Sequence, residues 1–275
     1  MSPQPTVSDK YDARIRRAAQ LISGKSSAAE ILCFYKRIAE FQKDLRARIG
    51  IAREKARPER EPPPIRDDLD LALLLPHFGG FLEVVKRHAP GALASAAREI
   101  ADWASDPWVE MLSSYWELGG RSDQQIEAFA QFFPRAFLQP YAEYLAEWTS
   151  QQPMTAPRVC PLCGARPLLG VLRPEGDGGK RHLVCSFCGL EWEFRRLLCP
   201  ACGEEDEKKL PVYVAEQFPH IRVEACETCR FFIRTVDLTK DGHAVPLVDE
   251  LAAVPLTLWA QEHAYKRLEP NLFGS

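Results

Sequence analysis

Four Cys-x-x-Cys pairs lie between Cys160 and Cys229, and they constrain this chain more than any other feature. The pairs are Cys160/Cys163, Cys185/Cys188, Cys199/Cys202 and Cys226/Cys229, which together use eight of the nine cysteines. The first two pairs are separated by 21 residues, the middle two by 10 and the last two by 23. One such pair is a weak signal. Four at these intervals read as two tandem four-thiolate metal sites. A Cys-x-x-Cys turn offers two sulfurs to one point, and a second turn completes a tetrahedron with metal–sulfur distances of about 2.3 Å for zinc. A glycine after the second cysteine takes a positive φ cheaply, and Gly164, Gly189 and Gly203 stand there. Arg230 holds the fourth such position. A left-handed Arg230 is expected to cost about 1 kcal/mol.

A sphere closed by four cysteines has no place for water or substrate. That argues for a structural or electron-transfer role and against a hydrolytic centre. Soft thiolates accept zinc or iron. His182 and His220 precede knuckles, but each site already has four cysteines. Corresponding pairs recur 39 and 41 residues apart, with strand-like runs between them, so the region reads as a duplicated unit. Ligation is expected to supply most of each unit's folding free energy, roughly 10 kcal/mol for zinc. On that basis Cys160→Ser loosens one unit and leaves the helical half folded.

The rest of the chain is helical in pattern. Ile31, Phe34, Ile38, Phe41, Leu45 and Ile49 recur at the spacing of one buried helical face within a helical stretch over 9–57. Cys33 beside them reads as a small, semi-buried apolar residue. Three consecutive prolines in RPEREPPPIR break the pattern at 57–66. Asp106-Pro107 marks a helix start, Ser122 with Gln125 fits a capping box, and Ile126, Phe129, Phe133 and Phe137 form an apolar stripe. QQPMTAPR, 151–158, reads as a linker. The last helix-like run, 247–268, carries Pro255 as a kink. The expected fold is α+β: a helical domain over 1–152, a first rubredoxin-like or zinc-ribbon four-cysteine unit over 158–198, and a second over 199–275 that includes the C-terminal helix.

With 46% hydrophobic residues in 275, the chain can build a sizeable core. Its N-terminus lacks an apolar signal segment, and Arg16-Arg17 is not followed by an export sequence. No run is long and apolar enough to span a membrane. A cytoplasmic protein with reduced, metal-holding thiols is expected. Net charge is −3, and residues 158–240 carry 13 Lys/Arg against 12 Asp/Glu, with Glu204 to Glu207 all acidic. Phosphate affinity needs positive charge, so a nucleic-acid-binding zinc ribbon is the alternative rather than the leading reading. No catalytic constellation is visible, and His243 and His263 read as solvated surface. The leading class is a non-enzymatic partner-binding protein, with a homodimer left open.

Trp192, Arg196 and Cys199 form a Trp-x3-Arg-x2-Cys element between the second and third pairs, and the chain ends VDELAAVPLTLWAQEHAYKRLEPNLF before its last two residues. With these, and with Leu32, Phe34, Tyr35 and Gln42 in the helical opening, the chain resembles the formate dehydrogenase accessory protein FdhE family. That resemblance implies a cytoplasmic maturation factor that binds the catalytic subunit of a respiratory formate dehydrogenase before export. It also implies rubredoxin-like iron centres ligated by the eight paired cysteines. The chain departs from the family after the fourth pair, where Arg230, Phe232 and Arg234 replace a Gly-x-Tyr-x-Lys pattern. Phe187 and Trp192 are aromatics that could be exposed to hold a client, with core packing an equal alternative for Trp192.

Overall fold

The computed structural model describes residues 7–24, 26–54, 64–118, 128–148, 157–176 and 178–274. The capping box at Ser122, Ile126, most of the proline-rich break and most of the 151–158 linker lie outside them, as does the Phe129 side chain. The helical layer consists of α1 (Val7–Ser23), α2 (Ala29–Glu54), α3 (Leu71–Leu74), α4 (Phe78–His88), α5 (Gly91–Ala101), α6 (Ser105–Leu118) and α7 (Ala128–Trp148). Strands β1 (Pro167–Glu175), β2 (Gly178–Cys185), β3 (Glu191–Glu193), β4 (Val212–Val214), β5 (Ile221–Ala225) and β6 (Phe231–Asp237) follow. Helices α8 (Pro246–Ala252) and α9 (Val254–Glu262) and the short β7 (Lys266–Arg267) close the chain. The fold is α+β, as the sequence pattern predicts.

The stretch read as one helix over 9–57 is two helices. Gly24 lowers helical propensity. Ser26 then restarts the helix, its Oγ accepting from the Ala28 N–H at 3.2 Å and its carbonyl from the Ala29 N–H at 3.1 Å. In α2 the apolar stripe faces inward: Phe34, Ile38, Leu45 and Ile49 are buried, with Ile31 and Phe41 half-buried. Cys33 is exposed, because it lies off that stripe. Helix α7 is the spine of the layer, although Pro134 and Pro140 sit inside it. A proline lacks the N–H that the carbonyl four residues earlier needs. For Pro140 that carbonyl is Ala136, and the buried Gln42 amide of α2 donates to it at 2.7 Å. Phe133 and Phe137 pack from α7 against Phe81, and Phe137 also against Phe78, of α4. At the C-terminus the chain breaks between α8 and α9 at Ala253, with Pro255 in the first turn of α9. The proline therefore separates two helices rather than bending one.

The strands form one sheet ordered β3-β2-β1-β6-β5-β4, with β7 added to β6. Antiparallel hairpin β1–β2 with β3 belongs to the first cysteine unit, and β4–β5–β6 to the second. The units join through the parallel pairing of β1 and β6, Gly170 opposite Thr235, Val171 opposite Val236 and Leu172 opposite Asp237. A Cβ on Gly170 would collide with the Thr235 hydroxyl, so the seam requires glycine. The principal core runs continuously from α2, α4 and α7 into the first cysteine unit, where it includes Cys160, Cys163, Cys185, Cys188, Phe187 and Trp192.

Buried ion pairs fasten the last helices across this arrangement. Glu250 is fully buried and accepts from Arg234 of β6, also fully buried, and from Arg267 of β7. Arg234 also donates to the Ala253 carbonyl at 2.5 Å. Asp249 accepts from Arg17 of α1 at 2.6 Å and pairs with His220 at 3.0 Å. Arg17, one of the two arginines near the N-terminus, is thus a structural cation that ties α1 to α8.

Candidate metal centres

All four knuckles share one local design. The N–H of the first cysteine donates to the carbonyl five residues on: Cys160 to Ala165 (2.8 Å), Cys185 to Leu190 (2.8 Å), Cys199 to Glu204 (2.9 Å) and Cys226 to Phe231 (3.0 Å). Closing so tight a loop requires a left-handed residue after the second cysteine. Gly164, Gly189 and Gly203 have φ of 73°, 66° and 85°. Arg230 takes the same turn with φ 59°, the strain foreseen at the one knuckle without glycine. Its side chain supplies contacts that glycine cannot. The guanidinium lies 4.1 Å from the Tyr265 ring centroid, donates to the His263 carbonyl at 2.7 Å and pairs with Glu227. Arg230 thereby anchors the fourth knuckle to the C-terminal segment.

The eight cysteines gather in two groups of four, Cys160/Cys163/Cys185/Cys188 and Cys199/Cys202/Cys226/Cys229, with the sulfurs of each group all within 4.8 Å of one another. A tetrahedron with metal–sulfur bonds of about 2.3 Å has sulfur–sulfur edges of about 3.8 Å. In the second group Cys199–Cys229 and Cys202–Cys226 are both 3.7 Å. In the first, Cys160–Cys188 is 3.5 Å and Cys163–Cys185 is 3.3 Å. These separations are far longer than a disulfide bond, and all eight thiols are free. The donor sets fit a tetrahedral soft cation.

Their electrostatics fit one as well. In the first group Cys163 is pulled well below the ordinary thiol range, first by hydrogen bonding with Cys160 and then with Cys185 and Cys188. Burial pushes Cys185 up, and hydrogen bonding with Cys160 and Cys163 pushes Cys188 up. One thiolate is therefore stabilised at the expense of its neighbours. In the second group burial raises Cys199 and Cys229. At Cys202 burial acts upward too, but the Glu204 backbone N–H and the other thiols outweigh it and lower the group. Crowded thiolates repel one another, and a bound cation removes that penalty by taking the place of the protons.

The two groups differ in surroundings. Every cysteine of the first is buried, whereas in the second Cys202 is exposed and Cys229 half-buried. The helical layer clasps the first. Arg66 donates through Nε to the Cys163 carbonyl at 2.7 Å and lies 5.3 Å from the Phe187 ring centroid. Arg135 of α7 donates to the Ser186 carbonyl at 3.1 Å. A Cβ on Gly189 would meet the Glu143 carboxylate at 3.4 Å. The second group is braced by lighter links, from Arg158 to the Ala201 carbonyl at 3.0 Å and from Thr228 to Glu204.

Some expected roles change. Phe187 and Trp192 are 1% and 3% exposed. Phe187 packs edge-on against Trp116 and Tyr115 of α6, and the Trp192 indole donates to the Pro157 carbonyl at 2.9 Å. Both are core, because the helical layer covers the face of the first unit that the sequence alone leaves bare. His182 and His220 stand outside both cysteine groups. His220 instead groups with Asp241 and Asp249, and the Arg17 guanidinium bridges those two carboxylates at 2.8 and 2.6 Å. His263 stacks on Trp259. Sequence reasoning passed over Arg66, Arg135 and Glu143, since nothing local marks an arginine or glutamate as reaching a knuckle far along the chain.

Two family models match the cysteine region: the FdhE central domain over residues 159–196 and the FdhE C-terminal domain over 198–273. A protein FdhE homolog of Aquifex aeolicus is 28% identical over 209 residues, covering 75% of this chain and 72% of that one. Another from Pseudomonas aeruginosa is 30% identical over 193 residues, covering 67% of this chain and 60% of that one. The crystal structure of the FdhE protein from Pseudomonas aeruginosa superposes with a TM-score of 0.71 at 23% identity, over 99% of this chain and 98% of that one, so the whole fold is shared. On the matches to both cysteine units and on these relatives, the chain belongs to the FdhE family.

Proposed function

We propose that the protein is a non-enzymatic accessory factor for formate dehydrogenase, acting in the cytoplasm by binding the catalytic subunit during its maturation. Membership of the FdhE family supports the accessory role. The observation that carries the reading further is the pair of closed four-cysteine groups; the described residues also bury ion pairs that join elements, such as Arg17–Asp249 and Arg234–Glu250. A sphere filled by four protein ligands holds structure or passes single electrons; it does not activate water. Among the described residues no helix is long and apolar enough to cross a membrane.

In this reading Cys160, Cys163, Cys185 and Cys188 hold one metal, and Cys199, Cys202, Cys226 and Cys229 a second. Four thiolates suit zinc and iron alike, and iron adds a redox couple that zinc lacks. The chain's own residues divide the labour. Arg66 and Arg135 tie the first knuckles to the helical layer, making that site the joint between layers. The second site stands at the outer part of the sheet with Cys202 open to solvent.

The test is co-purification. Tagged catalytic subunit, expressed with the full chain under anaerobic reducing conditions, is expected to retain it. Retention should survive added salt and DNA, which would release a protein held by phosphate contacts. Absence of association under these conditions sinks the client-binding reading. Metal analysis with a visible spectrum assigns the metal: two zincs in a colourless protein remove iron.

A further inference from the structure

Beside the second cysteine group the sheet is open. Strand β4 ends the strand order, and β5 is its strand neighbour among the described residues. Its register puts Val212 opposite Glu224 and Val214 opposite Arg222, so these four side chains share one sheet face. The other face is covered: Tyr213 packs on Trp259 of α9 and on Tyr265. On the open face Val212 and Val214 are 51% and 65% exposed, and Leu197 across from them is 48% exposed. A cleft of about 200 Å³ lies between Val212 and the segment 196–201, with Phe232 and Ile233 among its apolar walls.

Arginine dominates the polar wall of the cleft. Arg181, Arg196 and Arg222 line it against one carboxylate, Glu224. Arg181 and Arg222 share Glu224, at 2.6 and 2.7 Å. Arg196 is exposed and donates to the Gly179 carbonyl at 2.5 Å. Arg181 is 2% exposed, and its Nε is buried without a hydrogen-bond partner. Three guanidiniums face one carboxylate in a partly apolar cleft next to an unpaired strand edge, with Cys199 and Cys226 of the second group also on its wall; Arg196 is the guanidinium that faces solvent with a carbonyl as its partner.

We infer that β4 and this cleft form a docking groove for an extended acidic–apolar segment of a partner polypeptide, which pairs with the outer edge of β4 and sets a carboxylate against Arg196, with Arg222 behind it. Main-chain pairing to a sheet edge gives affinity, and alternate side chains give specificity. Valines at 212 and 214 suit apolar side chains of the added strand, and the excess of arginine selects against a basic one. Placing the client subunit here rests on the function proposed above; the groove's chemistry does not.

The test uses the full, metal-loaded chain and two terminally blocked synthetic peptides, one alternating glutamate with valine and the other lysine with valine. The acidic peptide is expected to slow amide hydrogen exchange at Val212–Val214. Val214→Glu and Arg196→Glu should each weaken it about tenfold, the scale of losing one central interface contact, and the double variant should prefer the lysine peptide. Metal content of the variants, unchanged from wild type, separates loss of the groove from loss of the fold. The inference is overturned if neither peptide protects β4, or if both bind equally. It is also overturned if β4 is protected without peptide in a concentration-dependent manner that Val214→Glu abolishes, since the occupant is then a second copy. With the catalytic subunit as probe, failure of wild type to bind removes the client reading and leaves the peptide result standing. Binding that Val214→Glu leaves intact shows that the client sits elsewhere and removes the groove as its site.

Discussion

Replacing Glu250 by glutamine tests how the C-terminal helices hold the second cysteine unit. The carboxylate and the Arg234 guanidinium are both fully buried, and Arg267 donates to the same carboxylate. Glutamine keeps an acceptor oxygen for one arginine but removes the charge, leaving two guanidiniums facing a neutral amide. Breaking a buried pair from one side costs about 3–5 kcal/mol. The retained acceptor and the Ala253 carbonyl, which still accepts from Arg234, place the expected loss near the lower figure, about 3 kcal/mol. For a chain of this size that corresponds to a Tm lower by about 6–12 °C. Chemical and thermal unfolding of the metal-loaded protein measure it. A double-mutant cycle with Arg234→Met isolates the pair, and its coupling should exceed about 1 kcal/mol. A glutamine variant within about 0.5 kcal/mol of wild type, or an additive cycle, would refute the claim that this charge is uncompensated in the fold. The pH dependence has a definite sign. Burial acts to raise Glu250 and Asp249, but Arg234 and Arg267 outweigh it at Glu250, and the hydrogen bonds of His220 and Arg17 outweigh it at Asp249, so both are lowered. A carboxylate lowered in the folded state contributes stability that is present above its unfolded pKa of about 4 and lost as pH falls through its folded value. Stability should therefore drop in acid, and Glu250→Gln should make that drop shallower.

Four further outcomes are expected. A chelator should remove metal in two phases, the second site first, because Cys202 is exposed while every thiol of the first group is buried; a single phase for both metals on metal-release assay counts against the asymmetry. Cys202→Ser should accordingly leave the unfolding midpoint nearer wild type than Cys160→Ser, which cuts into the core shared with the helices and should weaken near-UV circular dichroism of both parts, rather than loosen one unit alone as the sequence pattern suggests. Gly170→Val drives a side chain into Thr235 at the seam between the units and should cost about 1–3 kcal/mol or more, with faster hydrogen exchange in β1 and β6; wild-type exchange there would show that the seam adjusts freely. Gln42→Leu strips the partner from the Ala136 carbonyl and should cost about 1–3 kcal/mol in unfolding experiments, an outcome refuted by neutral behaviour.

What could be read early was local. The grouping of the cysteines follows from knuckle spacing, and the left-handed turn at Arg230 from the loop that any such knuckle must close. The α2 stripe follows from a period of 3.6. Burial of Phe187 and Trp192 was not legible, because the strand alternation that places them on one face does not say what covers that face. Nor were the roles of Arg66, Arg135 and Arg234, which act through partners on other elements.

The sequence by itself determined that eight thiols form two tetrahedral donor sets on duplicated hairpins beside a helical layer, since turn chemistry and periodicity act over a few residues. Only the tertiary structure decided that these sets are unequal. Parallel pairing of β1 with β6 merges the two hairpins into one sheet; the N-terminal helical layer packs over the first unit, whereas the second has its own smaller core with the C-terminal helices. Burial of each four-cysteine group is therefore set by contacts between distant parts of the chain, and short-range patterns carry no record of them.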